Sequence, residues 1–147
     1  MFRKILVPVD GSATGARGLR EAIALAKDQK AKLRVVHVVD ESMVVGIAES
    51  GVDLEPFFKG LVANGRRVLE RARRAAEKAG ARVETQLYES LGGSAATTIL
   101  RDARKWRPDL IVMGTHGRRG IRRVVLGSDA EHVVREASAP VLLVRGR

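Results

Sequence analysis

The chain has 147 residues, 45% of them hydrophobic and 30% charged, which fits one globular domain and argues against a disordered, collagen-like or membrane-spanning protein. Cysteine is absent, so disulfides, thiolate metal sites and cysteine nucleophiles are excluded. Lysine and arginine exceed aspartate and glutamate by 27 to 17, and the net charge of +10 favours an anionic partner. We expect a single cytoplasmic domain over residues 1–147, without membrane association.

The first half of the chain alternates predicted strands and helices. An apolar, β-branched run at 2–9 indicates a first strand. A helix follows, because apolar residues recur at helical spacing at Leu19, Ala22, Ile23 and Ala26. Residues 32–39 repeat the strand pattern, 40–53 have no clean period and are predicted to form a loop, and 54–79 form a long amphipathic helix.

The second half continues the alternation. Residues 82–88 alternate apolar and polar side chains, as is typical of a strand at a sheet edge. The next helix must stop near Arg107, because Pro108 restricts the residue before it. Residues 110–113 are apolar on both faces, which predicts a strand between two helix layers, and a last helix leads into a strand at 141–144.

The element order βαβαβαβαβ predicts an α/β fold, with a five-stranded, parallel, doubly wound and Rossmann-like sheet covered by helices on both faces. We expect the strand order 3-2-1-4-5. In such sheets a ligand binds outside the carboxyl ends of the strands, where the strand order reverses. That place is the crevice between strands 1 and 4, beside the loops that begin at Asp10 and Gly114.

The loop after the fourth strand has the chemistry of a phosphate site. Glycine recurs there at Gly114, Gly117 and Gly127, and a residue without Cβ can adopt positive φ and present main-chain N–H groups to phosphate oxygens. Gly127 and Ser128 then open the last helix, whose amino end suits an anion. The loop therefore predicts binding of a phosphorylated ligand.

These residues also have purely structural interpretations, which stay open at this point. Ser128 to Glu131 fits a capping box, and Asp10 could brace the first loop instead of meeting a ribose. Gly114 and Gly117 could only permit a tight turn. Four arginines could cover a triphosphate or form a solvated face: Arg118, Arg119, Arg122 and Arg123.

The spacing Gly-x2-Gly-x9-Gly-Ser at 114–128 resembles the ATP-binding signature of the universal stress protein family. Residues 5–12 and 139–144 resemble the first and last strands of that family, so the resemblance covers essentially the whole chain. It implies an ATP-binding regulatory protein of the stress response that forms homodimers by antiparallel pairing of strand 141–144, an edge that would otherwise stay open.

The resemblance also implies individual roles. Adenine would lie near Pro8 and the main chain of Val38 and Met113, while Asp10 and Gly114 would meet the ribose. The loop glycines and the first residues of the last helix would hold the phosphates. The candidate nucleotide-binding residues are Pro8, Val9, Asp10, Ser12, Val38, Met113, Gly114, Gly117, Arg118, Gly127, Ser128 and Asp129.

One position departs from the family pattern. Many relatives have an apolar residue where this chain has Asp129, whose carboxylate could repel a γ-phosphate or help to hold Mg²⁺ with the nucleotide. The three histidines have no metal-ligand spacing, so we expect no metal site made by the protein alone.

Other functional classes lack their motifs. The sequence has no Gly-x-Gly-x-x-Gly after the first strand, no P-loop and no nucleophile elbow, which argues against dinucleotide oxidoreductases, P-loop ATPases and serine hydrolases. Sequence-specific nucleic-acid binding is not expected, because recognition motifs are missing and the five aromatic residues are scattered. Slow ATP hydrolysis or nucleotidyl transfer, with no catalytic residue assigned, and a basic scaffold dimer without nucleotide stay as alternatives.

Overall fold

The chain is described here by a computed structural model, which covers residues 1–41, 51–90, 92–115 and 126–146. The predicted loop at 40–53 lies mostly outside these residues. The elements in chain order are β1 (Lys4–Pro8), α1 (Ala13–Gln29), β2 (Lys32–Asp40), α2 (Glu55–Lys78), β3 (Arg82–Ser90), α3 (Ala95–Trp106), β4 (Leu110–Gly114), α4 (Ser128–Glu136) and β5 (Val141–Val144). None of the helices in the described ranges is both long and apolar enough to span a bilayer.

The strands form one parallel sheet in the order β3-β2-β1-β4-β5. This confirms the predicted single α/β domain and its strand order. β3 lies at one edge of the sheet, as the alternating pattern of 82–88 predicted, and β5 lies at the other.

Helices cover both faces of the sheet. The core between the sheet and the first two helices contains Ile5, Val7, Leu33, Val35, Leu110 and Val112, together with apolar residues of α1 and α2. The core on the other face contains Leu6, Val36, Ile111 and Met113, packed against α3 and α4. β1 and β4 are buried from both sides, which explains why their sequences are apolar without alternation.

Local chemistry sets the helix ends. α1 begins at a Ser12 N-cap, and α3 ends at Arg107, which adopts a left-handed backbone with φ of 52° directly before Pro108. The Arg107 amide donates to the Ala103 carbonyl at 2.8 Å, which closes the last turn. The predicted stop at this position is thus confirmed.

Candidate functional site: the crevice between two strand ends

β1 and β4 separate before they reach their carboxyl ends. Their register pairs end at Leu6 and Ile111 within the described residues. β1 continues beside β2 as far as Pro8, and β4 continues beside β5 as far as Gly114. Because β1 stays with β2 and β4 stays with β5, a crevice opens between β1 and β4. This is the place where the sequence predicted a ligand.

The loop after β1 is braced by its own side chains. Asp10 Oδ1 accepts a hydrogen bond from the Ser12 amide at 2.9 Å, and Ser12 Oγ accepts one from the Gly15 amide at 3.0 Å. A Cβ on Gly15 would lie only 2.8 Å from Asp10 Oδ1, so glycine leaves room for the carboxylate. The bracing role that the sequence left open for Asp10 is confirmed for this oxygen, and the Ser12 hydroxyl serves as a helix cap.

Val9 has both backbone groups engaged inside the fold. Its amide donates to the Val36 carbonyl at 2.9 Å, and its carbonyl accepts a hydrogen bond from His37 Nδ1 at 2.8 Å. A carbonyl oxygen can only accept, so Nδ1 carries the proton. Val9 and His37 are both buried. The contribution of Val9 to the crevice is therefore to fix the path of the chain into Asp10.

The amino end of α1 lies directly on the end of β4. A Cβ on Gly114 would lie 2.8 Å from Thr14 Cγ2 and 2.9 Å from the Thr14 carbonyl carbon. From the helix side, a Cβ on Gly18 would lie 3.3 Å from the Gly114 amide nitrogen. Gly114 does not adopt positive φ, and close packing of α1 is what requires glycine there. The residues that follow Thr115 lie outside the described part of the chain, so the tight-turn interpretation stays a prediction.

The amino end of α4 differs from the predicted capping box. Gly127 is the N-cap, with no side-chain cap bond, and Ser128 is the first helical residue, so the capping interpretation of Ser128 is wrong. The Gly127 amide donates to the Thr115 carbonyl at 2.8 Å, and its φ of −62° is open to any residue. The first helical hydrogen bond runs from the Glu131 amide to the Gly127 carbonyl, so the three amides at 128–130 have no acceptor within the helix.

Asp129 connects the two helices that cover the same sheet face. Its Oδ1 accepts a hydrogen bond from the Ala96 amide of α3 at 3.2 Å. The carboxylate expected to act on phosphate or Mg²⁺ thus has one oxygen engaged by a neighbouring helix.

The remaining candidates divide into three groups. Pro8 is half-buried at the end of β1. The side chains of Val38 and Met113 pack into the core beside α3 and α4, so the core interpretation holds for the Met113 side chain. Gly117 and Arg118 lie outside the described residues. Within the described ranges, no group of three or more histidine and acidic side chains could hold a metal ion.

The comparison with protein families covers nearly the whole chain, including both strands that border the crevice. A family model described as "Universal stress protein family" matches residues 1–145. The chain belongs to the universal stress protein family. It is 37% identical over 145 residues to the universal stress protein MJ0531 of Methanocaldococcus jannaschii, and the match covers 99% of this chain and 83% of that protein.

Solved structures of other universal stress proteins share the fold. The structure of MJ0577, from the same organism, superposes with a TM-score of 0.85 at 26% identity and covers 100% of this chain and 98% of that one. A universal stress protein from Archaeoglobus fulgidus in complex with dAMP superposes with a TM-score of 0.72 at 25% identity, covering 97% of each chain.

This universal stress protein also contains a charge cluster, built around the buried Asp102, that sequence reasoning missed. Arg34 on β2 donates to both oxygens of Asp102 on α3, through Nε at 3.0 Å and Nη2 at 2.8 Å, and Nη1 donates to Glu84 at 2.9 Å. The Asp102 side chain is only 1% exposed and also accepts from the Tyr88 hydroxyl. The sequence signal that could have revealed this cluster is an aspartate, Asp102, beside Ala103 of the apolar stripe of its helix, where a charged residue needs a partner.

The charges in this cluster stabilise one another. Burial disfavours the Arg34 cation, but hydrogen bonds to Glu84 and Asp102 outweigh it and raise the pKa of Arg34. Burial likewise opposes ionisation of Glu84, yet hydrogen bonds from Lys32 and Arg34 lower its pKa. Burial, followed by the hydrogen bond to Asp102, raises the pKa of Tyr88. The cluster joins β2, β3 and α3 and has a structural role.

Proposed function

We propose that this universal stress protein binds an adenine nucleotide, preferentially ATP, in the crevice between β1 and β4 and acts as a regulatory protein of the stress response. The observation that carries the proposal is the amino end of α4. Its first-turn amides at 128–130 follow the glycine-rich loop and have no acceptor within the helix. Helix N-termini carry a partial positive charge and bind phosphate groups.

The candidate residues receive their roles within this proposal. Pro8 and the main chain of Val38 and Met113 contact adenine, and Asp10 and Gly114 meet the ribose. Gly117, Gly127, Ser128 and Asp129 surround the phosphates, Arg118 covers them, and Val9 and Ser12 hold the first loop in place. Mg²⁺ accompanies the nucleotide. The dAMP complex of the Archaeoglobus fulgidus relative supports adenine as the base.

The proposal includes a cytoplasmic homodimer that pairs through β5. The Ile111 amide bonds to the Pro140 carbonyl and the Thr115 amide to the Val144 carbonyl, both at 2.9 Å. Backbone groups alternate in direction along a strand, so the amides of Val141 and Leu143 point away from β4. A second copy of β5 would satisfy these open groups.

Calorimetry on the purified protein tests the nucleotide site. We expect ATP to bind with micromolar affinity, about −8 kcal/mol. Gly117→Val and Gly127→Val should weaken ATP binding at least about tenfold, or about 1.4 kcal/mol, with unchanged circular dichroism. Gly60→Val is the matched control, because a Cβ on Gly60 meets nothing within 4 Å.

Two results would contradict the proposal. If AMP and pyrophosphate bind as tightly as ATP, the adenine and triphosphate contacts are assigned wrongly. Turnover of ATP with Mg²⁺ above about 1 s⁻¹ would replace the regulatory role with an enzymatic one.

A further inference from the structure

The outward face of α2 carries arginines that the proposed nucleotide site does not use. A shallow concave surface is lined by four arginines and one glutamate: Arg66, Arg67, Glu70, Arg71 and Arg74. We call these five residues the arginine face. The opposite stripe of the helix is buried against the sheet and contains Gly65, Leu69, Ala72 and Ala76. The arginine face is therefore directed toward solvent.

The negative charge on this face is already neutralised within the helix. Glu70 accepts hydrogen bonds from Arg73 at 2.8 Å and from Arg74 at 2.7 Å, and Arg73 also binds Glu77 at 2.7 Å. The bonds from Arg73, then from Arg74, lower the pKa of Glu70 to about 2, so it stays ionised. Three exposed arginines of the face have no acidic partner in the described part of the chain: Arg66, Arg67 and Arg71.

The chemistry of the face selects among anionic partners. Guanidinium groups match the geometry of phosphate oxygens and can bind them bidentately. The side chains of the arginine face are all charged, so a protein partner would find no apolar or aromatic anchor there. A membrane surface would likewise meet no apolar side chain to insert. The phosphate backbone of a nucleic acid needs only positive charge.

The length of the face fits a duplex. Residues 66–74 extend for about 12 Å along the helix. Over that distance a DNA duplex presents about seven phosphate charges. We propose that the arginine face is a sequence-independent binding surface for the phosphate backbone of double-stranded nucleic acid. This surface is separate from the crevice, and the proposal does not depend on ATP binding.

Fluorescence anisotropy with a labelled DNA duplex of about 20 base pairs tests the proposal. The variant Arg66→Gln/Arg67→Gln/Arg71→Gln removes the three unpaired charges. A matched control removes the same number of exposed charges from the opposite side of the sheet, by Arg101→Gln/Arg104→Gln/Lys105→Gln on α3. Both variants are first checked for an unchanged circular dichroism spectrum.

The expected results are specific to the arginine face. The wild type should bind two duplexes of unrelated sequence equally, with a slope of log affinity against log salt of about −3 between about 50 and 200 mM salt. The α2 variant should bind at least about tenfold more weakly with a slope near zero, while the α3 variant stays within about twofold of wild type. Saturating ATP should not compete.

Several results would overturn the proposal. Absence of binding at low salt would do so, as would an equal loss in the two triple variants, which would indicate net charge alone. Tighter binding of polyglutamate, or of vesicles containing anionic phospholipid, with the same dependence on the three arginines would assign the face to an acidic protein or a membrane instead.

Discussion

Asp129 in the first turn of α4 accepts a hydrogen bond from the Ala96 amide in the first turn of α3, with 3.2 Å between Oδ1 and nitrogen. The N-cap of α3, Ser94, accepts from the Thr97 amide at 3.3 Å, so two side chains share the capping of this helix. The Asp129 carboxylate therefore ties together the amino ends of two neighbouring helices.

The first prediction separates the charge of Asp129 from its hydrogen bond. Asp129→Asn keeps an oxygen acceptor for the Ala96 amide but removes the negative charge beside the proposed phosphate site. We expect ATP affinity to rise about two- to fivefold, the effect of about 0.3–1 kcal/mol for one charge at a helix terminus, and AMP affinity to change less. Calorimetry with both nucleotides measures this ratio.

Asp129→Ala is the companion variant. It also loses the cap on α3, which should lower the free energy of unfolding by about 1 kcal/mol in urea titrations. An unchanged ratio of ATP to AMP affinity in both variants would show that the carboxylate does not act on the phosphates.

The second prediction concerns a close approach of α2 to the sheet at Gly65. A Cβ on Gly65 would lie 2.7 Å from His37 Cδ2 and 2.8 Å from Leu87 Cδ1. Gly65→Ala should therefore reduce the free energy of unfolding by about 1–3 kcal/mol through overpacking. Gly60→Ala on the same helix has open space around it and should raise that free energy by about 0.5–1 kcal/mol. Equal effects of the two substitutions, measured by urea unfolding, would contradict the packing argument.

The third prediction uses the lowered pKa of Glu84. A carboxyl group whose pKa is lower in the folded state contributes stability above its unfolded pKa and loses it as the pH falls through the folded value. At pH 7, Glu84→Gln should be less stable than wild type by about 1 kcal/mol, because Glu84 is partly exposed. The difference should shrink as the pH falls below the ordinary value of 4.5.

Glu55→Gln provides the reference for this experiment, since the Glu55–Lys59 pair is highly exposed. It should change the unfolding free energy by less than about 0.5 kcal/mol. The difference in unfolding free energy between Glu84→Gln and wild type could instead stay constant from pH 7 to below the ordinary pKa of a carboxyl group. That result would mean that the charge of Glu84 is not what stabilises the cluster.

The fourth prediction tests the proposed dimer. Val141→Pro removes an amide that points away from β4, so the monomer should keep its fold while the pairing of two copies is lost. Sedimentation should then show monomers. Val134→Lys is the comparison, because Val134 is an apolar residue on α4 with 44% exposure. A dimer that survives Val141→Pro and dissociates with Val134→Lys would move the interface to α4.

Much of the fold can be predicted from the spacing of hydrophobic residues along the sequence. The pattern at 54–79 predicted a helix, and α2 runs from Glu55 to Lys78 with its buried residues on one stripe. The apolar run at 110–113 predicted a strand covered on both faces, which β4 is. The alternating pattern at 82–88 predicted a strand that ends at residue 88. In the structure β3 continues to Ser90, because its pairing with β2 continues that far.

The details of the site depend on contacts between residues far apart in the chain. The pattern from Ser128 to Glu131 looks like a capping box, but the helix begins after Gly127, whose amide is held by the Thr115 carbonyl. Arg34 and Asp102 are separated by 68 positions, and no local pattern links a strand arginine to a helix aspartate. The local sequence indicates which functional groups are present near the crevice. The packing of the sheet and helices determines which of their atoms are already hydrogen-bonded and which can still bind a ligand.

The contact between Gly114 and Thr14 has a mechanical consequence. The first turn of α1 rests on the β4 backbone at Gly114, where the Thr14 methyl group occupies the space that a Cβ would need. The loop that carries Asp10 leads directly into that helix, so this contact also sets the position of the loop relative to the end of β4. The distance across the crevice between the Asp10 loop and β4 therefore depends on there being no side chain at position 114.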